Sequence, residues 1–384
     1  MNAQWEKYLD QWTKAGLIEP SAAERVRAYE ADQAKLQGFR WPVVVAIALG
    51  GLLLAAGILL FVAAHWSMLS PMQRFTAVVM MIAVVHGGGA IASMRFGVLS
   101  TTLHAVGTVC LGAGIYLTAQ IFHLQEHWPT GVLLWAIGAW AAWALLRDWP
   151  QAALAAVLTP AWLAGEWLVA TRYMPGSETV LAAGILMLAI TYLTAVTSED
   201  ASAVRKALSW LGGLAIIPAA ILVILIGEEF NRGGPPMPYS YHAFGWTAAF
   251  LLPILLAWVF RGKGAFMNLA AAFWVACLSA AAWRAPWGYR TYYTHPLELL
   301  IFGLCALGAV GLIAWGMKEG RKERVNLGIA GFALTVLFFY FSSLMDKLGR
   351  SASLIGLGML FLLGGWLLEK TRRRLLVKIE GGRV

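Results

Sequence analysis

Apolar residues in this chain come in runs of about twenty, separated by short polar breaks, and that rhythm alone predicts helices long enough to cross a membrane. Twelve runs can be marked, at 42–64, 75–94, 98–122, 131–147, 150–170, 179–197, 207–227, 242–260, 265–283, 297–317, 325–343 and 350–369. A helix rises about 1.5 Å per residue, so twenty residues cover the roughly 30 Å of hydrocarbon in a bilayer. Several runs are short or rich in glycine, which sets the expectation at ten to twelve. Helix starts are marked as well. Ser70-Pro71-Met72-Gln73 reads as N-cap, N1 proline and capping-box glutamine for the second run. His295-Pro296-Leu297-Glu298 opens the tenth run, with Glu298 in the first turn, where the helix dipole favours an anion.

The first 40 residues follow a different pattern, polar with a helical period and carrying six basic and six acidic side chains. A helix near 3–14 should stop at Gly16, and a capping box at Ser21-Ala22-Ala23-Glu24, after Pro20, predicts a second over 22–36. Trp5, Leu9, Trp12 and Leu17 are available to pack between them. With no apolar core near residue 10, the segment does not read as a cleavable signal peptide. The expected fold class is therefore an all-α integral membrane bundle of about twelve transmembrane helices. Its parts are a cytoplasmic helical hairpin (1–40), a transmembrane domain (41–370) and a basic tail (371–384).

Composition agrees: 60% of residues are hydrophobic and only 13% charged, where soluble domains run near a quarter charged. The 29 Lys and Arg residues give the orientation. Threading the chain through twelve spans puts 22 of them on the side of the N-terminus, 7 on the other and none inside a span. The positive-inside bias then makes both termini cytoplasmic. Lys370, Arg372, Arg373 and Arg374 read as an anchor to anionic membrane lipid rather than to nucleic acid. Cys110, Cys277 and Cys305 sit inside apolar runs without CxxC spacing and read as packing residues. A short echo, Ala56-Gly57-Ile58 with Leu60 against Ala113-Gly114-Ile115 with Leu117, hints at a duplicated hairpin.

Candidate chemistry gathers at the outer edge. On this topology His65, His123, His127, His242 and His295 all lie there, near Gln120, Glu126, Glu166, Glu228, Glu229 and Glu298. Imidazoles and carboxylates so placed can hold a polar substrate, relay protons or act as acid and base, or simply tolerate the wet interface. No metal signature such as HExxH is present, so no metal site and no cofactor is expected. At 100° per residue Tyr116, Gln120, His123 and His127 form one polar stripe on the third run, which suits a cavity wall or interhelical contact better than lipid. His86 and His104 are the two intramembrane histidines. They stand equally far from Arg95, so antiparallel neighbours would hold them at one depth as an intramembrane polar pair. Outer segments 228–241 and 284–296 are aromatic-rich; Trp287, Tyr289, Tyr292 and Tyr293 suit either a belt at the interface or a sugar-binding surface.

Three stretches carry a resemblance: "W-x2-AGLIEPSAAERV" from Trp12 to Val26, "GILLFVAAHW" closing the first run, and "GIYLTAQIFHLQEHWPTGVLLWAIGAW" bridging the third and fourth. Together they resemble the bacterial predicted membrane proteins called domain of unknown function 2157, over about the first 150 residues. The resemblance implies a bacterial inner-membrane location and places Gln120, His123 and Trp128 in a recurring pattern. Members of the family often have Asn before the Trp that closes the first span, where this chain has His65. No activity comes with the family.

Three functions stay open on these residues. One is binding or translocation of a small or lipid-linked envelope substrate through an outward-facing polar cavity, with Tyr116, Gln120, His123, Glu126, His127, His65 and Glu298 as its lining. A second is an intramembrane enzyme acting on an envelope lipid or glycan, with Glu126, Glu228, Glu229, His295 and Glu298 as acids and bases. The third is an assembly or sensor protein whose N-terminal helices meet a cytoplasmic partner. No Walker, dinucleotide or nucleophile-elbow motif supports soluble-cofactor chemistry.

Overall fold

The computed structural model describes residues 9, 11–36, 49, 50, 53, 57, 60, 70–123, 127–172, 174–197, 201–229, 237–284, 295–341, 355, 358, 359, 362 and 366. Among them every regular element is a helix. In chain order these are α1 (Pro20–Leu36), α2 (Pro71–Ala92), α3 (Gly97–Ile121), α4 (Trp128–Leu146), α5 (Trp149–Thr171) and α6 (Ser177–Leu193). There follow α7 (Ala203–Glu229), α8 (Tyr239–Arg261), α9 (Phe266–Arg284), α10 (His295–Lys318) and α11 (Lys322–Phe339). Helices α2 to α11 coincide with the second to eleventh apolar runs. The first and twelfth runs and the basic tail lie largely outside the described residues.

Seven stretches of the described residues are long and apolar enough to cross a membrane. One of them, Tyr239–Ala282, is 44 residues long and holds both α8 and α9, with a 3-10 turn at Gly262–Ala265 between them. Helix α6 is a shorter apolar helix. The chain is thus a polytopic membrane protein, helical in all the regular structure of its described residues. It divides into two compact units, Met1–Gly114 and Ile115–Val384.

In the first unit Leu9 and Ala23 are buried, while Trp12 and Leu17 are exposed. Helix α1 starts at Pro20, two residues earlier than the sequence suggested. The Glu19 carbonyl accepts from the amides of Ala22 and Ala23, and the Ser21 hydroxyl donates to the Glu19 carboxylate at 3.4 Å. The capping box expected at Ser21 is therefore not formed, because a proline at the first helical position pulls the start forward. The box on α2 is formed in full: the Gln73 amide donates to Ser70 Oγ, and the Ser70 amide donates to Gln73 Oε1 at 2.9 Å. Ser70→Ala should cost about 1 kcal/mol, read as a small fall in the thermal midpoint of purified protein. Along the α2–α3 hairpin Gly114 fits against Val78 and Ile82.

In the second unit the central element is α6. Twelve of its 17 residues are buried, and it packs against α5, α7, α8 and α9. A helix that is apolar on all sides belongs inside a bundle. Its core face (Ala182, Ala183, Leu186, Met187, Ile190) shares one buried cluster with Ala219 and Val223 of α7, Val275 and Leu278 of α9, and Ile301 of α10. Lipid is as apolar as these side chains, so close van der Waals packing of small residues, rather than escape from water, holds such helices together. Helices α4 and α5 form a hairpin on Ala136, Ala139, Ala155 and Leu158. Both end on an arginine in the left-handed conformation, Arg147 (φ 56°) and Arg172 (φ 48°), each placing a cation beside the negative end of a helix dipole.

Candidate functional site

The best-defined exposed polar cluster in the second unit lies where α4 begins and α5 ends. His127 is the N-cap residue of α4 and its side chain accepts no cap bond from the helix amides, so its ring turns elsewhere. Across the hairpin Gly165 leaves room for the Trp128 indole; a Cβ there would sit 2.6 Å from its edge. That close approach brings the end of α5 to His127, whose Nε2 lies 2.7 Å from Glu166 Oε2. One turn earlier on α5, Trp162 Nε1 donates to Glu166 Oε1 at 3.0 Å. Both carboxylate oxygens are therefore engaged, while the His127 and Glu166 side chains remain 44% and 38% exposed. An imidazole, a carboxylate and an indole held this way form a preset hydrogen-bonding surface, open on one side.

The stripe expected along the third run is only partly present. Tyr116 and Gln120 share a face, and Gln120 Nε2 donates to the Tyr116 hydroxyl at 3.2 Å. Helix α3 ends at Ile121, however, and His123 takes the left-handed conformation (φ 51°) in the turn that follows. A helical wheel no longer applies past that point, so His123 and His127 leave the stripe. His127 pairs with Glu166, 39 residues on. His242, on α8, lies edge-on to Trp246. His65 and Glu126 lie outside the described residues, as do the side chains of Glu228, Glu229, His295 and Glu298 and the aromatic segment 285–294. In the first unit His86 and His104 meet, Nδ1 to Nδ1, at 3.1 Å.

A second polar centre went unread in the sequence. Arg261, at the end of α8, and Arg324, near the start of α11, have side chains only 3% and 2% exposed. Both guanidiniums bond the Glu319 carboxylate, which also accepts from Trp315 Nε1. The Trp315 ring lies 5.2 Å from the Arg261 guanidinium and 5.5 Å from that of Arg324. The spare donors turn to the end of α6. Arg261 Nη1 donates to the Thr194 carbonyl at 2.8 Å and Arg324 Nη2 to the Val196 carbonyl at 3.1 Å, while Asn268 Nδ2 donates to Thr194 Oγ1 at 3.1 Å. Two buried cations thus face one carboxylate and the carbonyl end of a helix, which carries about half a negative charge. Burial pushes the Glu319 carboxyl upward. The Arg261 hydrogen bond, the Arg324 charge and the Trp315 and Arg324 hydrogen bonds outweigh that and hold it at about 2. The one available signal was an acid, Glu319, among the four basic residues of Lys318–Arg324 and four residues after Trp315.

Fold and site together define a polytopic helical membrane protein whose described ion pairs lie near helix ends, with the His86–His104 pair within the spans. Residues 10–152 match the family model of predicted membrane proteins, DUF2157. The matched segment includes Tyr116, Gln120, His123, His127 and the His86–His104 pair, but not Glu166. No curated protein and no solved structure matches the chain.

Proposed function

We propose that this is a bacterial inner-membrane protein of about twelve spans that binds, and passes on, a small or lipid-linked envelope substrate at its outer end. Both termini are cytoplasmic in this reading, which rests on the 22-to-7 partition of Lys and Arg. The observation that carries the binding role is the half-exposed His127–Glu166–Trp162 cluster at the head of an apolar hairpin. Were the pair there only to tie helices together, sealing it between them would serve better; left open, it offers hydrogen bonds to a polar headgroup while the flanking apolar surface takes a lipid chain. In the same reading His123, Tyr116 and Gln120 contribute to binding, and the sequence-derived topology sets Glu126, His65 and Glu298 on the same outer side of the membrane.

The test is ligand-induced thermal stabilisation of protein in lipid nanodiscs, using a short-chain polyprenyl phosphate sugar and the free sugar phosphate as probes. Either probe should raise the midpoint of the wild type, and Glu166→Gln and His127→Ala should lose at least tenfold in apparent affinity while folding normally. Equal affinity in wild type and both variants, or no stabilisation by either probe, would remove the proposal. His123 needs a separate choice of variant. At φ 51° alanine is strained whereas asparagine is tolerated, so His123→Asn should keep the folded yield and weaken binding. His123→Ala should lower both.

A further inference from the structure

Helices α2 and α3 run antiparallel about the turn at Arg95, and His86 and His104 each stand nine residues from it, roughly 9–11 Å along the helix axes from the ends of α2 and α3 at the turn. Each histidine is followed three residues later by a glycine, Gly89 on α2 and Gly107 on α3. The two rings use those glycines reciprocally. A Cβ on Gly107 would lie 2.6 Å from His86 Nε2, and one on Gly89 would lie 3.0 Å from His104 Nε2. Each imidazole therefore occupies the space the opposite helix leaves vacant. Seated this way, the rings lie 5.4 Å apart at a 35° tilt, with Nδ1 3.1 Å from Nδ1.

That separation restricts the protons. Two Nδ1–H groups would collide and two bare Nδ1 lone pairs would repel, so one ring must be protonated at Nδ1 and the other at Nε2. We infer that His86 and His104 form an intramembrane proton-binding site that holds one excess proton as a hydrogen-bonded imidazole–imidazolium pair. In the neutral pair the donor ring has a bare Nε2, and the incoming proton adds to that lone pair. The donor becomes an imidazolium, and its Nδ1–H···Nδ1 bond becomes charge-assisted and stronger. Shifting the bridging proton to the second ring moves the charge there, and loss of that ring's Nε2 proton restores a neutral pair with the tautomers exchanged. A proton can thus enter at one Nε2 and leave at the other, and no bond other than N–H is made or broken.

A metal fits less well, since among the described residues no third His, Cys, Asp or Glu completes a ligand set. Charges near the pair are few. The other ionisable side chains of the two helices are Arg74, Cys110 and Tyr116, with Arg95 in the turn, and the nearest along the chain, Cys110, is six residues from His104. The described residues of the first apolar run (Leu49, Gly50, Leu53, Gly57 and Leu60) add none. This inference does not rest on the binding role of the His127 cluster.

The test is 15N NMR of the full chain, labelled at histidine and held in lipid nanodiscs, from about pH 8 to about pH 4, which spans the histidine range. Expected near neutrality are two rings of opposite tautomer with a through-bond 15N–15N coupling between their Nδ1 atoms. On acidification the pair should take up one proton with the coupling retained. His86→Asn and His104→Asn assign the signals. Gly107→Ala, which displaces the His86 ring, should abolish the coupling even if an Asn variant fails to fold. Two Nε2–H tautomers without coupling, or both rings protonating in a single step that destroys it, would overturn the assignment. Persistence of the coupling in Gly107→Ala would do the same.

Discussion

Glu319→Gln is expected to lower the stability of the folded protein by about 3–5 kcal/mol, the usual cost of removing one partner from a buried ion pair. The variant keeps the shape of the side chain and removes only its charge, leaving Arg261 and Arg324 at 3% and 2% exposure with no anion between them. The carbonyls of Thr194 and Val196, just past the end of α6, still accept from them, but half a helix charge does not balance two cations. The same contacts set the carboxyl's proton affinity, and that points to an effect of similar size. A carboxyl held at about 2 in the folded state instead of its ordinary 4.5 corresponds to about 3 kcal/mol at neutral pH. The sign follows from the direction of that shift. Because the folded value is depressed, the contribution is complete above about pH 4.5 and disappears as pH falls toward 2. Thermal midpoints in detergent should therefore decline with acid over that window in the wild type, and Glu319→Gln should lack this component. A midpoint equal to that of wild type at pH 7 would mean that the three side chains are not joined in the folded protein. Arg324→Met is the informative companion. It removes one of the two cations and should cost less than Glu319→Gln, since Arg261 and Glu319 remain paired.

Why this centre was invisible in the sequence, while others were not, is a matter of chain distance. The cap of α2 was legible because Ser70 and Gln73 are three residues apart and close the box locally. His86 and His104 could be paired in advance because a tight turn fixes the register of its own hairpin. Arg261 and Glu319 are 58 residues apart, and a count by sidedness treats each as an ordinary interfacial charge. Nothing local says that α8 and α10 end side by side around the last turn of α6. The outer stripe failed for another reason. Projecting residues at 100° assumes that the helix continues, and Ile121 ends it. Tyr116 and Gln120, inside the helix, met as expected, but His127 went to a carboxylate on the next hairpin arm. The second to eleventh apolar runs coincide with helices because membrane helices need length and apolarity, both local properties.

Gly212→Ala should be the most disruptive methyl that can be added to α7. At this glycine α7 crosses α6 so closely that a Cβ would overlap the Leu193 amide nitrogen and the Ala189 carbonyl oxygen. Both are backbone atoms of a helix buried on all sides, so neither can turn aside as the tip of a side chain would. Relief requires the helices to separate. That would loosen the seam where Ala219 and Val223 meet α6 and stretch the Ser209 hydroxyl bond to the Leu193 carbonyl, now 2.9 Å. In a bilayer, where packing rather than water drives association, such a seam has no substitute. Overpacking of this kind costs about 3 kcal/mol or more. The adjoining residue supplies the control. A Cβ on Gly213 would find Leu327 Cδ1 at 3.4 Å and Leu193 Cδ1 at 3.8 Å, the tips of flexible side chains at near-ordinary contact. Gly213→Ala should therefore be neutral, or stabilising by up to about 1 kcal/mol through helix propensity. The two variants differ by one position and one methyl, so thermal midpoints and monodisperse yield in the same detergent compare them directly. Gly212→Ala should lose most of its folded yield and Gly213→Ala none. If the two behave alike, α6 and α7 do not cross at Gly212, and the central position of α6 in this unit would have to be redrawn.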